Sequence, residues 1–574
     1  MADLAGRADH ADHADHVGLG PVLAELTAPG GEFAMVPATV DGVAMRVHER
    51  GPHTLRELYL TSPAPDDRVA TVYGHERTSW AEHRRLVAGL ARWLVDEQGL
   101  APGDRVAVAM RNVPEWPVAF WAALVAGLVV VPLNAWWTGD QLAGAIAHAQ
   151  ARVVIADPER VDALTALTAR ADLPPVVRVR GAGPPPPGVL AWDDVVRPSD
   201  GPLPAVDVTP DDTATIIYTS GTTGAPKGVV GTHRNHVTNA LNVACLGRAN
   251  QQAALRRGEP VPPPARPGTL LAYPMFHIAG LNGLYGAVLS GATLALMHHW
   301  DPDEALRLIA TEQLTNASGV PAVLRDVVEL AVEHPEETAS LTRIAMGGAP
   351  IPPSLVRRVA TELAGRASAA NGYGATETTS AVCANTGADY AAHPDSVGRP
   401  VPGTELRIVD PATGDEVGEG TVGELCFRGP QIMRGYWRDP EATAAVLRDG
   451  WLHSGDLGLV RDGWVHVVDR AKDVVVRGGE NVFCGEVEAA LLAQPGVLEA
   501  AVVGVPHPRL GEDVAAVLVA APGAAPDTAA LQAALGAVLP GFAVPGTVIW
   551  RGEPLPRTAT GKILKDTLRR ELAG

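Results

Sequence analysis

The sequence predicts an α/β protein in two unequal parts. The first is a large N-terminal domain with mixed α/β layers and a β-rich subdomain, and the second is a small α+β C-terminal domain. Three observations carry this prediction. Strand-like and helix-like stretches alternate from residue 69 onward, the pattern of helices packed on a mostly parallel sheet. From residue 395 short strands alternate instead with Gly-rich turns. Past a charged break at 469–473, a helix, two strands and a second helix form a unit of their own. The 574 residues also exceed what one core usually holds.

Taken in order, residues 1–65 read as a polar tail followed by a segment docked on the body. The tail carries three histidines among acidic neighbours, has no apolar signal core, and reads as disorder rather than a metal site. Residues 69–73 suggest a strand and 75–78 a turn. Ser79 and Glu82 have capping-box spacing, and Leu86, Leu90 and Leu94 then recur at helical spacing. Residues 105–109 are a short strand. Residues 116–133 are 18 uncharged positions, the lower edge of membrane-spanning length. Pro132 and the change from Ala-rich to Val-rich texture at Leu128 instead predict a buried helix and a strand over 128–131. A helix at 142–148 and a strand at 152–156 follow.

Four prolines at 184–187, and the stretch 198–210, are connections. Residues 214–217 are a strand that runs into a Gly/Thr loop, and 236–252 a helix. The Pro-rich stretch 258–268 fits a lid, a contact surface or an idle loop. Later segments run into small or polar clusters: 270–273 into His277, 341–346 into Gly347 and 368–371 into Gly372. An open α/β sheet places active groups at such strand ends.

The formal net charge of −19 argues against a nucleic-acid partner. Four dispersed cysteines match no zinc, redox or disulfide pattern, and a reducing, cytoplasmic compartment is expected. Monomer and homodimer stay open.

The stretch that carries most chemistry is Thr219, Ser220, Gly221, Thr222, Thr223, Gly224, Ala225, Pro226, Lys227, Gly228. Glycines let successive backbone N–H groups face one anion, four hydroxyls add donors, and Lys227 adds a mobile charge. That suits a polyphosphate. It is not a Walker A loop, because Ser or Thr does not follow the lysine. Further motifs are Gly347-Gly348-Ala349-Pro350, the run Asn371-Gly372-Tyr373-Gly374-Ala375-Thr376-Glu377-Thr378, Trp451-Leu452-His453-Ser454-Gly455-Asp456, Gly478-Gly479-Glu480-Asn481, and residues 556–562 ending in Lys562.

In this order the set resembles the adenylate-forming superfamily of acyl-CoA synthetases, luciferases and peptide-synthetase adenylation domains, from about residue 65 to the C-terminus. Its texture is most similar to bacterial fatty-acid–CoA ligases. The resemblance implies an AMP-binding adenylation domain over 66–468, a hinge at 469–473 around Lys472, and a mobile lid domain over 474–574. It also implies two half-reactions. A carboxylate attacks the α-phosphorus of ATP, giving acyl-adenylate and pyrophosphate; a thiol, usually of coenzyme A, then displaces AMP.

On this resemblance Thr219 to Thr223 and Lys227 hold the β- and γ-phosphates. Glu377 is similar to a magnesium ligand and Thr376 to a phosphate contact. Gly348, Ala349 and Pro350 flank adenine, and Tyr373, in the run from Asn371 to Gly374, stacks on it. Asp456 takes the ribose hydroxyls with help from Arg470, and Lys562 bridges the acid carboxylate and the α-phosphate. His277 positions and gates the acid rather than shuttling a proton. Gly478 and Gly479 line the thiol's path or simply serve a tight turn; both readings stand. Asp469 and Ser454 depart from commoner residues without removing a needed group.

The acid is weakly specified. Small and apolar positions (Ile278, Ala279, Gly280, Val320, Gly348, Gly372) suit a medium- or long-chain fatty acid first and an aryl or arylalkanoic acid second. Acceptors other than CoA, a carrier-protein thiol or an amine, stay open, as does an inactive interaction protein.

Overall fold

Two long runs of alternating strands and helices build two sheets that share one aromatic-rich core. The computed structural model describes residues 18–167, 173–219, 226–259, 261, 266–525, 527–558 and 562–572. The first sheet has eight strands, in the order Gly435–Tyr436, Lys227–Thr232, Thr213–Thr219, Val129–Pro132, Arg105–Ala109, Ala151–Ala156, Val176–Arg178, Val189–Ala191. Its interior pairs are parallel, and Lys227–Thr232 runs antiparallel to Thr213–Thr219. The second sheet has nine strands, six of them in a parallel run from Val69–Tyr73 to Ser368–Ala375.

Helices Trp80–Arg92, Glu115–Val125 and Ile278–Ser290 lie between the sheets, where Trp116, Phe120, Trp121, Tyr59, Leu90 and Tyr285 pack together. Tyr59 stacks on Trp121 at 5.1 Å, and Phe120 meets Trp121 edge-on at 5.2 Å. A helix buried on every side needs no polar face, which explains the uncharged run at 116–133. Among the described residues no helix is long and apolar enough to cross a membrane. Outer helices close the other faces, with Leu308, Leu324 and Val359 on the second sheet and Leu142, Ile146 and Leu164 on the first.

A third, antiparallel sheet (Glu405–Val409, Gly423–Arg428, Trp451–Arg461, Trp464–Arg470) is the β-rich region. The sheet that follows is built on the hairpin Val497–His507 and Gly511–Ala520, with Cys484–Leu492 and Thr528–Gly536 on one face and Lys565–Leu572 on the other. All four cysteines are free and buried.

Three local expectations are corrected. The stretch at 75–78 is not only a turn: Glu76–Ser79 pairs back on Val69–Tyr73 as a strand. Ser79 does cap its helix, accepting from the Glu82 amide at 3.1 Å, but only that half of the box is made. The docking segment is more ordered than its polarity suggests, with helix Leu19–Thr27 seated on Cys245 and Ala249, a hairpin at Met35–Val40 and Val43–His48, and helix Leu55–Leu60 capped by Thr54. The His-rich residues 1–16 lie outside the described residues.

The core holds histidines that stay neutral. Burial pushes His83 and His236 down to about 3 and His233 to about 4. His236 bridges Thr215 Oγ1 (2.8 Å) and Tyr285 Oη (2.9 Å). Protonation is harder in the folded chain, so the unfolded chain binds more protons below its own histidine pKa of about 6.5. Their contribution is complete above that pH and is lost as pH falls toward the folded values. Stability is expected to drop by about 1–2 kcal/mol per histidine between about pH 7 and pH 5. Urea unfolding at the two pH values checks this; equal midpoints contradict it.

Candidate active site

The carboxyl ends of the two sheets converge where Thr219, His277, Gly347 and Ala375 end their strands or the loops that follow. Ser220, Gly221, Thr222, Thr223 and Gly224 lie outside the described residues. Their flanks are fixed, because Thr219 and Lys227 are register partners. Lys227 Nζ lies 5.0 Å from the ring centre of Tyr436, and the Tyr436 hydroxyl donates to Glu377 Oε1 at 3.0 Å. The lysine and the carboxylate therefore meet through one aromatic residue, which sequence reasoning missed. Glu377 is further held by its carbonyl, which accepts from the Met433 amide at 2.8 Å. Its Oε2 makes no hydrogen bond among the described residues. A carboxylate oxygen left free in this way is the donor type magnesium prefers.

Residues 376–380 are tightly wound. Thr376 and Thr378 are buried, and Thr379 and Ser380 sit in the left-handed region at φ 47° and 85°. Such backbone is unfavourable for a β-branched residue and persists only where its surroundings enforce it. Gly374 leaves room for it: a Cβ there would lie 1.7 Å from the Ser380 carbonyl oxygen.

Asn371, Gly372 and Tyr373 continue strand Ser368–Ala375, and Gly347 pairs with Gly372. The Gly347 carbonyl accepts from the Tyr273 hydroxyl at 3.0 Å, while Gly348 has φ 77°, leading into Ala349 and Pro350. The Tyr373 hydroxyl donates to Asp456 Oδ2 at 2.7 Å, and Arg470 Nε lies 3.2 Å from Oδ1. Burial, then the Asp456 charge, raise the Tyr373 phenol, so it remains a donor. The turn before Asp456 is braced by residues the sequence reading passed over. Glu424 accepts from the Gly455 amide (3.0 Å) and lies 2.8 Å from His453 Nδ1, while Cys426 Sγ is 3.4 Å from that nitrogen. Burial pushes the Cys426 thiol up to about 12, and hydrogen bonds join the trio into a brace for the turn.

Lys562 enters this group from near the end of the chain. Its amide donates to Thr558 Oγ1 at 3.2 Å. The side chain keeps contact with solvent, yet desolvation in a crowded cleft, then the Arg470 charge, hold its pKa below the usual lysine value. Asp456 and Glu377 act in the opposite sense. His277 caps helix Ile278–Ser290, its Nδ1 accepting from the Ala279 amide at 3.2 Å. That bond assigns the proton of the neutral ring to Nε2. Burial, then Lys562, lower its pKa to about 4. Beside it Phe276 meets Trp136 edge-on at 5.3 Å, with the Arg111 guanidinium 4.1 Å from the Trp136 ring centre.

Gly478 and Gly479 are not brought to this cluster. They are the exposed two-residue turn between Val475–Arg477 and Glu480–Val482, at φ 63° and 93°. Lys472 lies in the short turn Ala471–Asp473 just after Arg470. A cavity of about 310 Å³ lined by Arg105, Val129 and Thr213 opens at the opposite, amino ends of the first sheet and takes no part in this group.

Comparison with known proteins adds the following. Residues 61–437 match the family described as AMP-binding enzyme, and residues 486–562 match the AMP-binding enzyme C-terminal domain. A feruloyl-CoA synthase from Amycolatopsis is 38% identical over 88% of this chain and 95% of its own. A long-chain-fatty-acid–CoA ligase from Mycobacterium tuberculosis is 32% identical over 82% of this chain and 89% of its own. The crystal structure of ATP-bound MatB from Rhodopseudomonas palustris superposes with a TM-score of 0.79, at 31% identity over 91% of this chain and 99% of that one.

Proposed function

The chain belongs to the AMP-binding enzymes, and from that membership we propose that it is an ATP-dependent carboxylic acid–CoA ligase. The observation that carries the proposal is that Lys562 lies close enough to Arg470, Asp456 and Glu377 for their charges to act on it, while Arg470 and Asp456 are paired at 3.2 Å. Two cations and two carboxylates, drawn from the β-rich region, the main body and the chain's tail, suit a nucleotide triphosphate under attack. An acid oxygen forms a bond to the α-phosphorus while the bond to pyrophosphate breaks. The two anions that must meet there repel, and Lys562 offsets that repulsion. Lys227 and the Gly/Thr loop take the outer phosphates, and Glu377 is the residue that would hold magnesium, whose charge neutralises phosphate oxygens. Tyr373 and Asp456 address adenine and ribose. His277, neutral with its proton on Nε2, orients the acid by donating to it.

In the second step the CoA thiol attacks the acyl carbon and AMP leaves. Lys562 has no task there, and rotation of the C-terminal unit about Lys472 would withdraw it. Gly478 and Gly479 fit this reading as a turn that rotation carries toward the site.

For the acid, the relatives named above include both an aryl and a long-chain fatty acyl specificity. The higher identity of the feruloyl enzyme supports ranking an aryl acid ahead of the fatty acid expected first. A panel of carboxylic acids assayed for AMP with and without CoA tests the reading. CoA-dependent thioester supports it, AMP without thioester favours a carrier-protein thiol or an amine as acceptor, and no pyrophosphate with any acid favours an inactive fold.

Asp456→Ala is expected to raise KM for ATP by at least about 100-fold, the value of two charge-assisted hydrogen bonds to ribose at about 1.5 kcal/mol or more each. The change should leave KM for the acid nearly constant. An unchanged KM for ATP would remove Asp456 from the nucleotide site.

A further inference from the structure

We propose that Lys565 is a positioning residue of the first half-reaction, holding the C-terminal unit in the orientation that delivers Lys562. This rests on the ligase reading and adds to it a clamp across the hinge. The sequence points to the residue first. The chain has 42 arginines and four lysines. Such a chain uses arginine wherever the two cations are interchangeable, so its lysines mark places where they are not. Three of the four, Lys227, Lys472 and Lys562, already have places in the proposed reaction. Lys565 is the fourth and has none.

Lys565 opens helix Lys565–Leu572. Its Nζ lies 2.8 Å from Glu488 Oε1 on helix Cys484–Leu492, with both side chains 17% exposed. The same oxygen accepts from the Val502 amide at 2.8 Å. Arginine is the usual cation for a pair so enclosed, and such a pair adds little stability over packed apolar residues. Stability alone therefore does not explain this lysine. A second carboxylate, Asp469, completes the set. It lies on strand Trp464–Arg470, before the pivot proposed at Lys472, whereas Lys565 and Glu488 lie after it. Asp469 Oδ2 accepts from the Gly485 amide at 3.2 Å, and a Cβ on Gly485 would lie 2.7 Å from the Val468 carbonyl oxygen. The helix start thus meets the strand main chain to main chain. Burial raises the pKa of both carboxyl groups, and at each the Lys565 charge is the largest influence opposing it. Among the described residues Asp469 has no ion pair of its own, so one ammonium serves both carboxylates.

Lys562 follows this anchor. The Thr558 amide donates to its carbonyl at 2.8 Å, and the Leu564 amide, next to Lys565, donates to the Pro556 carbonyl at 2.8 Å. Rotation about Lys472 would leave Asp469 with the body and carry Lys565 away from it. The clamp therefore favours the orientation in which Lys562 lies within electrostatic reach of Asp456 and Glu377, and it has no part in the step that follows.

The test assays the two half-reactions separately with the panel acids, cinnamic and decanoic acid among them. One assay is pyrophosphate release at saturating ATP, and the other is transfer to CoA from supplied acyl-adenylate. Lys565→Met is expected to slow release about 10- to 100-fold, the cost of misplacing a reacting group by about 1 Å, and to leave transfer within about twofold. Asp469→Asn should act in the same direction and serves if Lys565→Met fails to fold. The double variant should be no slower than the slower single one, because both changes open one clamp. Equal loss in the two half-reactions, or losses that add in the double variant, would overturn the proposal and spare the ligase reading, since a lysine that only stabilises the C-terminal unit gives that result. No pyrophosphate from the intact enzyme with any acid of the panel would overturn both.

Discussion

Lys562→Ala should slow pyrophosphate release by about 100- to 1000-fold and leave transfer from supplied acyl-adenylate to CoA nearly intact. The magnitude is that of removing one preorganised charge from a site where charge develops. The selectivity follows from placement. Lys562 exchanges hydrogen bonds with Thr558, lies far along the chain from the Gly/Thr loop, and is within electrostatic reach of Asp456 and Glu377. Lys562→Arg should recover little, since a planar fork does not occupy the place of a compact ammonium. Equal loss in both half-reactions would assign the lysine a structural part instead.

Gly374→Ala should cost about a hundredfold in the same assay, together with about 1–3 kcal/mol of stability. The added methyl would meet the Ser380 carbonyl at 1.7 Å, and the obstacle is main chain, which cannot swing aside as a side-chain tip can. Residues 376–380 must then move outward, taking Glu377 from Tyr436 and Ser380 from Asn282. Gly418→Ala is the matched control, with open space around its Cβ. Full activity in Gly374→Ala would mean that the turn is not held as described.

The layered architecture was legible because its strands are short apolar runs between helical repeats, as at 105–109 and 152–156. Helix Ile278–Ser290 was not. Gly280, Gly283 and Gly286 masked a helical repeat of Ile278, Leu281, Leu284, Tyr285 and Val288, each buried. The turn at 75–78 hid a strand because Glu76 and Arg77 are charged, and an edge strand tolerates charge. At the site, motif residues were visible as chemical types in order. Tyr436 and Glu424 were not, because their contribution exists only when distant strands lie side by side. No local pattern encodes such a contact.

Trp136 gives the protein an optical handle. It is 46% exposed, whereas Trp116, Trp121, Trp80 and Trp93 are sealed in the interior and Trp137, Trp300, Trp437, Trp451 and Trp550 are half-buried. Its indole borders Phe276, the neighbour of His277, so water around this ring changes when the cleft fills. The long-wavelength edge of the fluorescence spectrum should therefore follow occupancy of the cleft without any attached dye.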